Sequence, residues 1–171
     1  MRTTVIALSI TLAATLLVAS PASARQVVVE VTSIEAFVRP VEQRTDGEVE
    51  VDQRLVPISK SLKSLFAYDS YKFLGKERAS IELAKAHVFR LPEHFAIEIS
   101  PDRAGRSGQD MIGMKVTLFK EEPRREGRRS EQSEREVVLR TEIRLKSGGT
   151  MLLGGPPIRS GVLVLALSAK Q

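Results

Sequence analysis

The strongest pattern in the chain runs from Val137 to Ala169. Val137, Leu139, Thr141, Ile143 and Leu145 share one parity, and Arg140, Glu142 and Arg144 fill the other. Successive strand side chains point to opposite sheet faces, so this alternation predicts a half-buried strand. Gly148-Gly149 follows, a pair that permits the positive φ angles of a tight hairpin. Gly154-Gly155-Pro156-Pro157 and Ser160-Gly161 mark the next turn region, and every residue from Val162 to Leu167 is apolar. That last run suits a strand covered on both faces. The C-terminal part therefore reads as strand, turn, strand, turn, strand, completing a β core.

The same reading extends upstream. In Gln26 to Val38, the apolar residues Val27, Val29 and Val31 share one parity and Ile34, Ala36 and Val38 the other. The switch near Thr32-Ser33 predicts a bulge or bend in a long first strand. Between Asp52 and Phe66, Leu55, Ile58, Leu62, Leu65 and Phe66 recur at spacings of three and four, which predicts an amphipathic helix. Pro57 fits best as its start, after a turn over 52–56 in which Asp52 can cap. Tyr68 to Leu74 reads as a strand ending at Gly75, and Ala79, Ile81 and Leu83 mark another. His87, Phe89 and Leu91, then Pro92-Glu93-His94, then Phe95, Ile97 and Ile99 read as a hairpin with a short tip. Residues 101–109 read as loop, and Ile112, Met114, Val116 and Leu118 as a strand. Glu121 to Glu134 has no apolar residue, which predicts a mobile charged loop at about 121–134. The fold class is mainly β, at the margin of α+β: an antiparallel sandwich or curved sheet with one amphipathic helix.

Composition narrows the setting. The chain has 171 residues and no cysteine. Residues 1–24 have the form of a cleaved secretory signal. Arg2 precedes an apolar run from Val5 to Val18, Pro21 ends it, and Ala22-Ser23-Ala24 offers small residues for cleavage. The run is shorter than the roughly 20 residues a spanning helix needs. Residues 25–171 then form a single β-rich domain, expected in the periplasm or secreted. Loss of the signal removes one basic charge from a formal +5, too mild a charge to name a partner.

The candidate chemistry is sparse. His87 reads as a packed imidazole on an apolar parity and His94 as a solvated one at a hairpin tip; neither spacing marks a triad. His87, His94, Glu93 and Glu98 are too few and too scattered for a structural zinc site, and no Asp-rich loop has a calcium spacing. Lys146 to Thr150 has P-loop residue types in the wrong order. Tyr68 and Tyr71, three apart on a strand, lie on opposite faces, one in the core and one exposed. No catalytic residue, metal or cofactor is expected. The arginine pairs Arg124, Arg125, Arg128 and Arg129 could contact an anion or a partner, since guanidinium forks match carboxylate and phosphate. The balancing glutamates around them speak against nucleic acid.

Phe66-Ala67-Tyr68-Asp69-Ser70-Tyr71-Lys72-Phe73-Leu74, Leu91-Pro92, Ser147-Gly148-Gly149-Thr150 and Gly154-Gly155-Pro156, with a closing Val162 to Leu167 strand, carry one likeness. In these stretches the chain resembles an uncharacterised group of small exported β-rich proteins of Gram-negative bacteria. The resemblance implies the fold and the compartment, and no site residue carries over. The function expected is a non-catalytic exported envelope protein, an accessory or protein-binding module whose partner is another envelope protein. A small apolar-ligand or lipid carrier is the alternative, and a hydrolase the third reading.

Overall fold

The computed structural model describes residues 26–40, 42, 49–103, 110–121 and 135–171. Among them nine strands form two sheets, and the fold is mainly β. Strands β1 (Gln26–Phe37), β2 (Glu50–Val51), β3 (Ser70–Glu82), β8 (Thr150–Ile158) and β9 (Gly161–Lys170) make sheet A, in the order β2-β3-β1-β9-β8. Strands β4 (His87–Arg90), β5 (Phe95–Arg103), β6 (Met111–Glu121) and β7 (Arg135–Lys146) make sheet B, ordered β4-β5-β6-β7. All ladders are antiparallel except the short parallel pairing of β2 with β3, which the sequence pattern did not disclose. Residues 1–24 and 122–134 lie outside the described residues.

The apolar run of β9 is covered on both faces, as its composition requires. Leu163, Leu165, Leu167 and Ala169 face sheet B and pack with Val27, Val29, Val31, Ile97, Ile99, Val116 and Leu118. Val164 and Ala166 face the other way, into a smaller core with Ile34, Ala36, Leu55, Leu62 and Tyr71. One strand thus serves two cores, and its parity decides which side chain enters each.

The same geometry corrects the reading of β1. Its register with β9 is unbroken from Val28 to Ala36, so β1 carries no bulge. The irregularity lies in β3: Ser33 faces Gly75 and Ile34 faces Phe73, leaving Leu74 as the extra residue. The parity of β1 switches because the covered face changes. Val27, Val29 and Val31 are shielded by sheet B, and Ile34 and Ala36 by the helical segment. For the same reason β3 does not end at Gly75 but continues to Glu82.

The helical segment begins as a 3₁₀ turn over Gln53–Ile58 and becomes helix α1 only at Ser59–Leu65. Asp52 caps it by accepting from the Arg54 N–H at 3.0 Å. The Arg54 side chain also donates to that carboxylate, holding it well below the usual carboxylate range. Leu55 and Leu62 are buried, whereas Leu65, predicted on the same stripe, is 64% exposed. The 3₁₀ start shifts the phase of the stripe and rotates Leu65 outward.

Seven residues are too few to hold an isolated helix. Tyr71, fully buried on β3, supplies the anchor. Its hydroxyl donates at the end of α1, 2.9 Å from the Phe66 carbonyl and 3.1 Å from the Leu62 carbonyl, which also accepts from the Phe66 N–H. Burial raises the Tyr71 hydroxyl above its ordinary range, so it remains a donor at neutral pH. Tyr71→Phe should lower stability by about 1–2 kcal/mol, since it removes the buried hydroxyl that bonds the Phe66 carbonyl and ties α1 to β3. Hydrogen exchange should then speed up in 59–65 and stay unchanged in β9. Equal acceleration in both would remove the anchoring role. Tyr68 precedes the strand and is half-buried against the same small core.

Two further corrections concern turns. Gly148 has φ of 80° and the Gly149 N–H donates to the Lys146 carbonyl, so the tight turn is present. It does not close a β7–β8 hairpin: β7 belongs to sheet B and β8 to sheet A. The turn carries the chain across the sandwich, held by the Gly148 N–H on the Ala169 carbonyl and the Ser147 N–H on the Asp110 carbonyl. Residues 101–103, read as loop, belong to β5, where Pro101 stands opposite Met114.

Candidate functional site

Among the described residues the two histidines are not brought together. His87 opens β4 and is exposed, its ring edge-on to Phe89 at 4.7 Å between centroids, rather than packed as its parity predicted. His94 is exposed at the hairpin tip, with φ of 63°. His87 is the first residue of β4 and His94 lies past its other end, and among the described residues neither imidazole enters a hydrogen bond or an ion pair. No group of three or more His, Cys, Asp or Glu side chains could hold a metal ion among the described residues. Arg124, Arg125, Arg128 and Arg129 lie outside the described residues.

A buried carboxylate escaped the sequence reading. Glu35 is 8% exposed on the β1 face that meets sheet B, across from Leu163 on β9 and Lys72 on β3. One carboxylate across from one lysine defines no ligand.

The unsatisfied chemistry lies in backbone, at the sheet margins. An edge strand presents unpaired N–H and C=O groups, and folds blunt such edges by shortness, proline or bulges. Three of the four edges here are blunted in that way. β2 has two residues and β4 has four. β8 carries Pro156 and Pro157, whose nitrogens cannot donate, and its register breaks between Gly154 and Pro157.

The fourth edge, β7, carries a bulge near its start but is otherwise open. It is 12 residues long, with no proline and no glycine. Its C-terminal half is anchored from one side: Ile143 and Leu145 are 6% and 5% exposed against Met114 and Ile112 of β6. Its N-terminal half is uncovered. Leu118 faces Leu139 and Phe119 faces Val137, so Val138 is an extra residue bulged out of the ladder. Val137 and Val138 are 51% and 41% exposed. The alternation placed Val137 on the core face; the bulge reverses the parity there and turns it outward. Arg135 pins the strand start, its guanidinium 4.6 Å from the Phe119 ring centroid and 3.7 Å from the Glu121 carboxylate. Arg140, Glu142, Arg144 and Lys146 stand exposed along the outer face.

This constellation offers main-chain hydrogen bonding over a long edge, two exposed valines at one end, and charges at every second position on one face. A sheet edge is a place where an extended chain can be added, with backbone bonds supplying affinity and alternate side chains supplying selectivity.

No protein-family model matches the chain, and no curated protein matches it. Among solved structures it is similar to the InvG secretin domain β-barrel from the Salmonella SPI-1 injectisome NC-base, at 11% identity and a TM-score of 0.29. That alignment covers 85% of this chain and 60% of the other. It is also similar to the Salmonella SPI-1 type III secretion injectisome secretin InvG in the open gate state, at 10% identity and a TM-score of 0.25, covering 85% and 58%. The chain spans less than two thirds of either structure, and likeness of this degree carries no argument about function.

Proposed function

We propose that the protein is a non-catalytic exported envelope protein, an accessory module that binds another protein chain through the open β7 edge. The observation that carries this reading is the character of β7: among the described residues it is a long terminal strand with neither proline nor glycine and with two exposed valines, whereas the part of β3 left uncovered by β2 carries Gly75 and the extra residue Leu74. Export rests on the signal-like residues 1–24 and on the resemblance to small exported proteins. No helix among the described residues is long and apolar enough to cross a membrane. The partner therefore shares the compartment into which the chain is exported. The carrier reading, with an apolar molecule between sheet and helix, loses weight because that space is filled by Ile34, Leu55, Leu62, Tyr71 and Val164, all fully buried.

The test is cross-linking in intact cells followed by purification of the tagged chain and mass spectrometry. The wild-type chain is compared with a Val137→Lys, Val138→Lys variant. Both positions are exposed, so the variant should fold as the wild type does, with stability changed by no more than about 0.5 kcal/mol per site. A reproducible adduct in the wild type that is lost in the variant supports the proposal. Adducts unaffected by the two lysines would move the binding surface elsewhere, and signal-bearing chain retained in the cytoplasm would remove the envelope setting.

A further inference from the structure

The outer face of β7 carries a charge sequence that is complementary to itself. Exposed Arg140 and Glu142 flank Thr141, with Val138 and Arg144 one step further out. Two β7 edges brought together antiparallel about a two-fold axis place residues symmetric about that axis opposite each other, on the same face. We propose that the β7 edge takes a second copy of this chain, paired antiparallel about Thr141. The inference rests on the reading of β7 as the binding edge and names what occupies it.

Charge fixes the register. With the axis at Thr141, Arg140 faces the second copy's Glu142 and, by symmetry, Glu142 faces the second copy's Arg140. Over the regular stretch 139–143, beyond the bulge at Val138, no like charges meet. With the axis at Arg140 that arginine faces itself. At Glu142 the glutamate faces itself and Arg140 meets Arg144. At Ile143, Arg140 meets Lys146. Opposite charges across a strand pair are stabilising and like charges destabilising. Charged side chains on an edge usually oppose pairing; here they oppose each of these registers except one.

The inner face agrees. The same axis sets Leu139 against the second copy's Ile143 and leaves Thr141 facing its own counterpart. Leu139 and Thr141 are half-buried in the single chain, and a continued sheet covers them. Sheet B has four strands, so two copies would form one continuous sheet of eight. The interface is isologous, the commonest way a soluble chain forms a closed dimer.

The test is analytical ultracentrifugation of the purified processed chain. The expected result is a dimer in reversible equilibrium with monomer. Arg140→Glu and Glu142→Arg should each raise the dissociation constant by about tenfold, because each turns two attractive contacts into repulsive ones. The Arg140→Glu, Glu142→Arg double variant should restore it to within about threefold. A second measurement does not depend on those variants. The chain has no cysteine, so Thr141→Cys introduces one thiol next to the axis. Facing Cα atoms of an antiparallel pair lie about 4.5–5.5 Å apart, within disulfide reach. Mild oxidation should cross-link Thr141→Cys across the dimer and leave Ser100→Cys uncross-linked.

A chain that stays monomeric at its highest soluble concentration overturns self-pairing. So does a dimer indifferent to both single reversals, or one that the double variant fails to restore. If the chain is monomeric but β7-dependent adducts with a different protein are found in cells, self-pairing falls and the binding reading stands. If it dimerises through β7 and cells show no other β7-dependent adduct, the second copy is the whole of the partnership.

Discussion

Gly161→Ala should be among the most destabilising single-methyl additions in the chain. Gly161 opens β9, opposite Ile158 and beside β1. A Cβ there would run into the Ala36 carbonyl oxygen and come within 2.8 Å of the Phe37 Cβ. The first obstacle is backbone, so relief requires β1 and β9 to part at the edge of the small core. Overpacking against backbone costs about 3 kcal/mol. For a domain of this size that lowers Tm by about 6–12 °C, readable by circular dichroism. Gly75→Ala is the matched control, since an added Cβ there meets nothing within 4 Å. Equal losses at both glycines would contradict the close approach of β1 to β9.

Leu165→Ala should cost about 2–5 kcal/mol, the usual range for truncating a buried leucine. Leu165 is 1% exposed, in the larger core, across β1 from Ser33 and across β8 from Leu153. Its chain neighbour Val164 is fully buried in the smaller core, so Val164→Ala should destabilise as well, by about 1–3 kcal/mol. Loss at two successive strand positions distinguishes a strand with two covered faces from one with a single covered face. Val137→Ala on the uncovered half of β7 should change stability by less than about 0.5 kcal/mol. Denaturant titration of the three variants settles the comparison. A tolerant Val164 would mean that the helical segment does not seal the outer face of β9.

The hydrophobic pattern revealed most of the strands because most of them are regular and covered on a definite side. The β4–β5 hairpin, β6, β9 and the amphipathic segment at 52–66 follow directly from alternation, from the apolar run and from helical spacing. Departures arose where coverage changes along a single strand. β1 switches parity without a bulge, because sheet B shields one half and the helical segment the other. β3 runs through Gly75 because its ladder with β1 continues past one extra residue. In β7 the bulge at Val138 undoes an alternation that is perfect on paper, and no residue type announces it.

Sheet membership was less legible still. Gly148-Gly149 marks a turn but does not say whether its strands pair, and here they lie in different sheets. The candidate site depends on that partition: β7 became an edge only because β8 joined the other sheet. Gly154-Gly155-Pro156-Pro157, read from sequence as a turn, lie within β8, because an edge strand tolerates proline on its unpaired side; only the turn at Ser160-Gly161 stands where it was expected. The compartment rests on residues 1–24, and their sequence remains its support.

The central claim is that β7 is the surface through which this chain meets another. A photoreactive amino acid placed at Val138, with Lys170 of β9 as the control position, tests it most directly in intact cells. Both side chains are exposed, so reactivity alone does not favour either. The account predicts a discrete protein adduct at Val138, in the envelope fraction, and none at Lys170. An adduct at Lys170 with none at Val138, or diffuse labelling equal at the two positions, would contradict it.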